Sequence, residues 1–84
     1  MTHKTTPRFW QEFERLPIHI QQPARKNFEL LKNDPSHPSL NFKRIEDLWS
    51  VRVGAHYRAL GFAHKNHVLW FWIGSHADYD RLLK

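Results

Sequence analysis

Residues 49–83 read WSVRVGAHYRALGFAHKNHVLWFWIGSHADYDRLL, and the period of their apolar side chains decides the fold. Trp49, Val51 and Val53 alternate with Ser50 and Arg52, the period-two pattern of a strand with one face buried and one face wet. Gly54-Ala55-His56 turns the chain, and Tyr57–Ala63 forms the next strand. His64-Lys65-Asn66-His67 predicts a second turn, with Asn66 suited to a positive φ. Val68–Ile73 is apolar on both faces, which predicts a central strand or one covered on both sides. Gly74-Ser75 ends it, and His76–Leu83 suffices for one or two helical turns.

Upstream, the pattern changes. Leu40 and Phe42 alternate with Asn41 and Lys43 and predict a further strand from Leu40. Asp34-Pro35-Ser36-His37-Pro38 is a loop by composition. Before it, the period is helical. Thr6 reads as an N-cap with Pro7 at the first helical position, and Phe9, Phe13 and Leu16 share one face. Pro17 stops that helix. A second begins near Ile20, with Pro23 in its first turn and Ile20, Ala24, Phe28 and Leu31 as its apolar stripe. Residues 1–5 carry little signal. The expected class is α+β: an N-terminal helical hairpin packed on an antiparallel β-meander of three to four strands, closed by a short C-terminal helical turn.

The 84 residues suit a single domain spanning 1–84, near the lower end of what folds alone. Four Trp, six Phe and two Tyr are large enough to fill so small a core. The absence of cysteine excludes disulfides and thiolate metal sites, which fits a cytoplasmic protein. No stretch reads as a signal peptide, and none reaches the roughly 20 apolar residues of a membrane span, so no membrane partner is expected. Lys and Arg number 13 against 8 Asp and Glu, and a net charge of +5 points to a polyanionic partner: RNA, DNA or an acidic protein.

Three residues carry chemistry. Arg52 and Arg58 lie on the first two strands, and His76 stands just past the third. Arginine grips phosphate through its planar, permanently charged fork, and histidine moves protons near neutral pH. The plainer alternatives are solvated strand residues for the arginines and a surface or capping role for the histidine. Trp49, Trp70, Phe71 and Trp72 read as core. Lys43 and Arg44 read as a solvated basic patch. His64 and His67 lack the further ligands that a closed metal site needs, so no metal and no cofactor is expected. Three scattered glycines cannot form a phosphate loop.

Two helices followed by strands, with V-R-V-G-x-x-Y-R at a hairpin (Val51–Arg58) and W-I-G-x-H-x-D-Y at the end (Trp72–Tyr79), resemble the RelE/ParE toxin superfamily of type II toxin–antitoxin systems. Leu16-Pro17 and Asn33-Asp34-Pro35 match its usual punctuation, and the resemblance runs from about Phe9 to Leu82. Gly74-Ser75-His76-x-Asp78 is similar to the ending of YafQ-type nucleases, in which that histidine is catalytic. The resemblance implies a metal-independent endoribonuclease, an mRNA interferase, that cleaves mRNA at the ribosome. His76 would transfer a proton, Arg58 and Arg52 would bind phosphate, Tyr79 would complete the catalytic set, and Lys43 and Arg44 would bind RNA. A cognate antitoxin would be its partner. The other activities open to the superfamily are a ParE-like inhibitor of DNA gyrase and an RNA binder without activity. The family's first strand precedes helix one, and here only residues 1–6 are available for it.

Overall fold

Two helices, one of eight residues and one of 16, cover one face of a five-stranded sheet in a computed structural model that describes residues 1–83. The chain runs β1 (Thr2–Thr5), α1 (Pro7–Glu14), α2 (Ile18–Asn33), a 3-10 turn (Pro38–Leu40), β2 (Lys43–Ile45), β3 (Leu48–Val53), β4 (Tyr57–His64), β5 (His67–Ser75) and α3 (His76–Leu82). The sheet order is β1-β5-β4-β3-β2; β1 lies parallel to β5 and every other pair is antiparallel. The α+β class, the helical hairpin, the meander and the C-terminal helix all stand as expected. The sheet gains a fifth strand, the short β1, in the residues that the family resemblance left for a first strand and whose own composition carried little signal.

Local chemistry explains the helix starts. Thr6 Oγ1 accepts from the Phe9 N–H at 3.1 Å, and Pro7 supplies a pre-set φ at the first helical position. Pro17 ends the first helical stretch and also opens the second: its carbonyl accepts from the N–H groups of Ile20 and Gln21 at 2.9 and 3.2 Å. That closure starts α2 at Ile18, two residues before the expected Ile20. Pro23 therefore lies inside the helix rather than in its first turn, where it removes one i→i−4 hydrogen bond.

Other differences have equally local causes. Leu40 is not in a strand. It ends the 3-10 turn fully buried, and Asn41 leaves that turn in the left-handed region at φ +44. The strand begins only at Lys43. Burial drives Leu40 and Phe42 inward whatever the backbone, so two alternating apolar residues imitate a strand; Phe42 stacks on Trp49 with centroids 4.4 Å apart. In the β4–β5 turn it is Lys65, not Asn66, that takes positive φ, at +51.

The core has two layers. Phe9, Phe13, Leu16, Ala24 and Leu31 pack from the helical side against Val51, Val53, Ala59, Val68, Trp70 and Ile73. On the opposite face, Leu60, Trp72 and Tyr79 form a smaller cluster beneath α3. A β-bulge makes both layers possible. Leu60 pairs with Trp72 but Gly61 with Trp70, which leaves Phe71 as the extra residue. The two tryptophans thus enter opposite cores. This is why β5 reads as apolar on both faces, and it is an interior strand of the sheet as expected. Gly61 is required at the bulge, because a Cβ there would stand 2.5 Å from Val68 Cγ1.

Candidate functional site

Residues paired across neighbouring strands share a face. Arg52 of β3 pairs with Arg58 of β4, and Arg58 with Gly74 of β5. The row two residues away is Ser50, Leu60 and Trp72, whose last two members form the core beneath α3. Both arginines therefore lie on the face away from α1 and α2. Arg52 Nε donates to the Gly54 carbonyl at 3.1 Å, and Arg58 Nη1 to the Tyr57 carbonyl at 2.9 Å. Each guanidinium is thus fixed to its own backbone, with donors to spare. Among the described residues neither pairs with a carboxylate. Like charges directly opposite on neighbouring strands repel, and an anion between them removes the penalty.

His76 opens α3, two residues beyond Gly74. Ser75 caps this helix, its Oγ accepting from the Asp78 N–H at 3.2 Å. The His76 N–H donates to the His56 carbonyl at 2.7 Å, which ties the start of α3 to the β3–β4 turn between the two arginines. The His76 side chain is half exposed, and its Nδ1 lies 3.2 Å from Asp80 Oδ2. Asp78 is engaged elsewhere. It pairs with Arg81, whose hydrogen bond, helped by Ser75, holds the Asp78 carboxyl below the usual carboxylate range.

The remaining candidates divide. Tyr79 is buried against Leu60 and Trp72, only 7% exposed, with its ring centroid 5.8 Å from that of His76; this geometry supports packing beneath the histidine. Lys43 pairs with Ser50 and so shares the face of the arginines. Arg44 pairs with Trp49, whose side chain packs into the helical core, so it points to the other face, where Nε donates to the Glu46 carbonyl at 2.9 Å. Lys43 and Arg44 are adjacent in sequence and do not form one patch. The His56 carbonyl did not emerge from sequence reasoning. The i,i+4 spacing of His76 and Asp80 is visible in the sequence once a helix is assigned there; a backbone carbonyl leaves no such trace.

A cavity of about 190 Å³ lies on the opposite side of the sheet, between α1 and α2. Phe9, Phe13, Phe28, Val51 and Val53 line it, with Arg25 at its edge, 4.8 Å from the Phe13 ring centroid. Its walls are apolar and it does not include Arg52, Arg58 or His76.

Residues 18–81 match a protein family described as the ParE-like toxin domain. No curated protein sequence matches the chain significantly. Solved structures do resemble it. A chain of the RelB–RelE antitoxin–toxin complex from Methanococcus jannaschii superposes with a TM-score of 0.73 at 16% identity, covering 96% of this chain and 99% of that one. The YoeB/ParE toxin from Agrobacterium tumefaciens gives 0.66 at 15%, covering 90% and 99%. The isolated E. coli RelE toxin gives 0.63 at 12%, covering 98% and 94%. At these identities the likeness is one of fold.

Proposed function

We propose that this chain, which belongs to the ParE-like toxin domain family within the RelE/ParE superfamily, is the ribonuclease toxin of a toxin–antitoxin pair. It cleaves mRNA by attack of a ribose 2′-oxygen on the adjacent phosphorus. The observation that carries this reading is the Arg52–Arg58 pair, two opposed cations without a carboxylate partner among the described residues, on the sheet face next to a half-exposed histidine. In the reaction, His76 takes the 2′-hydroxyl proton and the 2′-oxygen bonds to phosphorus. The bond from phosphorus to the 5′-oxygen breaks, and the leaving oxygen takes a proton from water. The two guanidinium groups hold the phosphate and offset the charge that builds on its oxygens. Base and charge both come from side chains, so the step is independent of divalent metal. Tyr79 supports the His76 ring from below, and Lys43 extends the cationic face for RNA. Arg44, on the other face, stands outside this site.

The second reading is a non-catalytic inhibitor of DNA gyrase, favoured by the ParE-like description of the matching family. One paired assay separates the two. Purified protein is incubated with RNA, with and without ribosomes, and in parallel with gyrase and relaxed plasmid. The proposal expects RNA cleavage and undisturbed supercoiling. Intact RNA with blocked supercoiling would establish the gyrase reading.

A further inference from the structure

The backbone of His76 is held and its ring is faced by a carboxylate. Its backbone N–H is fixed to the His56 carbonyl at 2.7 Å, and its ring Nδ1 faces Asp80 Oδ2 at 3.2 Å, one helical turn on. A carboxylate accepts hydrogen bonds and does not donate them, so its charge beside Nδ1 favours the proton on that nitrogen. The neutral ring then has its lone pair on Nε2, which has no partner among the described residues. Asp78, the other carboxylate in this turn, is paired with Arg81 and cannot replace Asp80. Arg81 is in turn occupied by Asp78.

We infer that Asp80 is a positioning residue: it fixes His76 in the Nδ1–H tautomer and so makes Nε2 the atom that takes the 2′-hydroxyl proton. The cleavage part of this inference rests on the nuclease reading; the tautomer part does not. In the step, the 2′-O–H bond breaks and its proton goes to Nε2, while the other proton stays bonded to Nδ1, facing Asp80, which gains no proton. The imidazolium that forms has a carboxylate at its other nitrogen. An acid that buttresses a histidine orients the ring and stabilises its imidazolium in this way. Both side chains are about half exposed, 47% for His76 and 52% for Asp80, so the effect is smaller than at a buried dyad.

The test uses the full chain in two arms. Imidazole ¹⁵N shifts of the free protein, recorded where the ring is neutral, report which nitrogen is protonated. Wild type should show protonated Nδ1 and bare Nε2. Asp80→Asn, which can present an amide N–H to Nδ1, should move the ring toward the Nε2–H form, and Asp80→Glu should restore wild-type shifts. In the second arm, cleavage of RNA should fall about tenfold in Asp80→Asn at unchanged KM and recover in Asp80→Glu. A wild-type ring with bare Nδ1, or shifts that Asp80→Asn leaves unmoved, overturns the inference. So does a tautomer change that leaves the cleavage rate unaltered. The spectroscopic arm needs no activity. If wild type cleaves no RNA while its tautomer follows Asp80, the nuclease reading fails and the orienting role stands.

Discussion

Arg52 and Arg58 face each other across a strand pair, which is an unfavourable place for two cations in an empty site. Function and stability should therefore pull in opposite directions. Arg58→Ala should lower RNA cleavage about 10²-fold while the melting temperature stays level or rises slightly. If both side chains grip one phosphate, the Arg52→Ala/Arg58→Ala double variant should lose less than the product of the single losses. Multiplicative losses would place the two guanidinium groups on separate phosphates. These residues were legible in the sequence because alternation put Arg52 on a polar face and a turn separated it from Arg58. Their direct opposition was not, since it depends on the turn's register. Tyr79 meets a related limit: the residue stands out in the sequence, but the packing of its ring against Leu60 and Trp72 follows only from the fold.

At the scale of elements, β1 is the strand that the sequence concealed. THKT has no apolar member, and its place comes from backbone pairing to β5, with Thr2 N–H donating to Asn66 O and Thr6 N–H to Trp70 O. His3 anchors it. Its Nδ1 accepts from Trp70 Nε1 at 3.2 Å, and its ring lies among Phe28, Phe42 and Trp70. Burial lowers the His3 pKa from its ordinary 6.5, assisted by the positive charges of the N-terminus and Lys32. The unfolded chain thus binds this proton more readily than the folded one. The contribution of neutral His3 is present above the unfolded value and is lost as pH falls from there through the folded pKa. Between about pH 8 and pH 5, wild type should lose more stability than His3→Gln, whose amide oxygen can accept from Trp70 without titrating. Parallel denaturation curves for the two proteins across that range would remove His3 as the cause.

Gly61 gives a second test at this scale. Gly61→Ala would push a methyl group against Val68 and the Trp70 ring, costing about 1–3 kcal/mol, read as a lower denaturation midpoint. An unchanged midpoint would show that the bulge relaxes freely. The strong periods of α1, β3, β4 and β5 were readable because each buries one face or both. The start of α2, the 3-10 turn and β1 were not, because backbone carbonyls set them.

Across the whole molecule, the two faces of the sheet offer different chemistry. One carries Arg52, Arg58 and His76; the other carries α1 and α2 with an apolar cavity between them. An acidic antitoxin segment seated over the cationic face would block RNA and bind with strong salt dependence. Arg58→Glu should then weaken association with the antitoxin and flatten its salt dependence, whereas Glu12→Lys on α1 should change little. Unchanged affinity and salt slope in Arg58→Glu would put the antitoxin on the helical side.

The central claim is that the cationic sheet face and His76 cleave RNA through the 2′-oxygen, and the ends of the products test it most directly. RNA treated with the protein in EDTA should yield 2′,3′-cyclic phosphate and 5′-hydroxyl termini, and His76→Ala, still folded, should form them about 10²–10⁴-fold more slowly. Products bearing 5′-phosphate, a strict need for Mg²⁺, or a folded His76→Ala protein that cuts at the wild-type rate would contradict it.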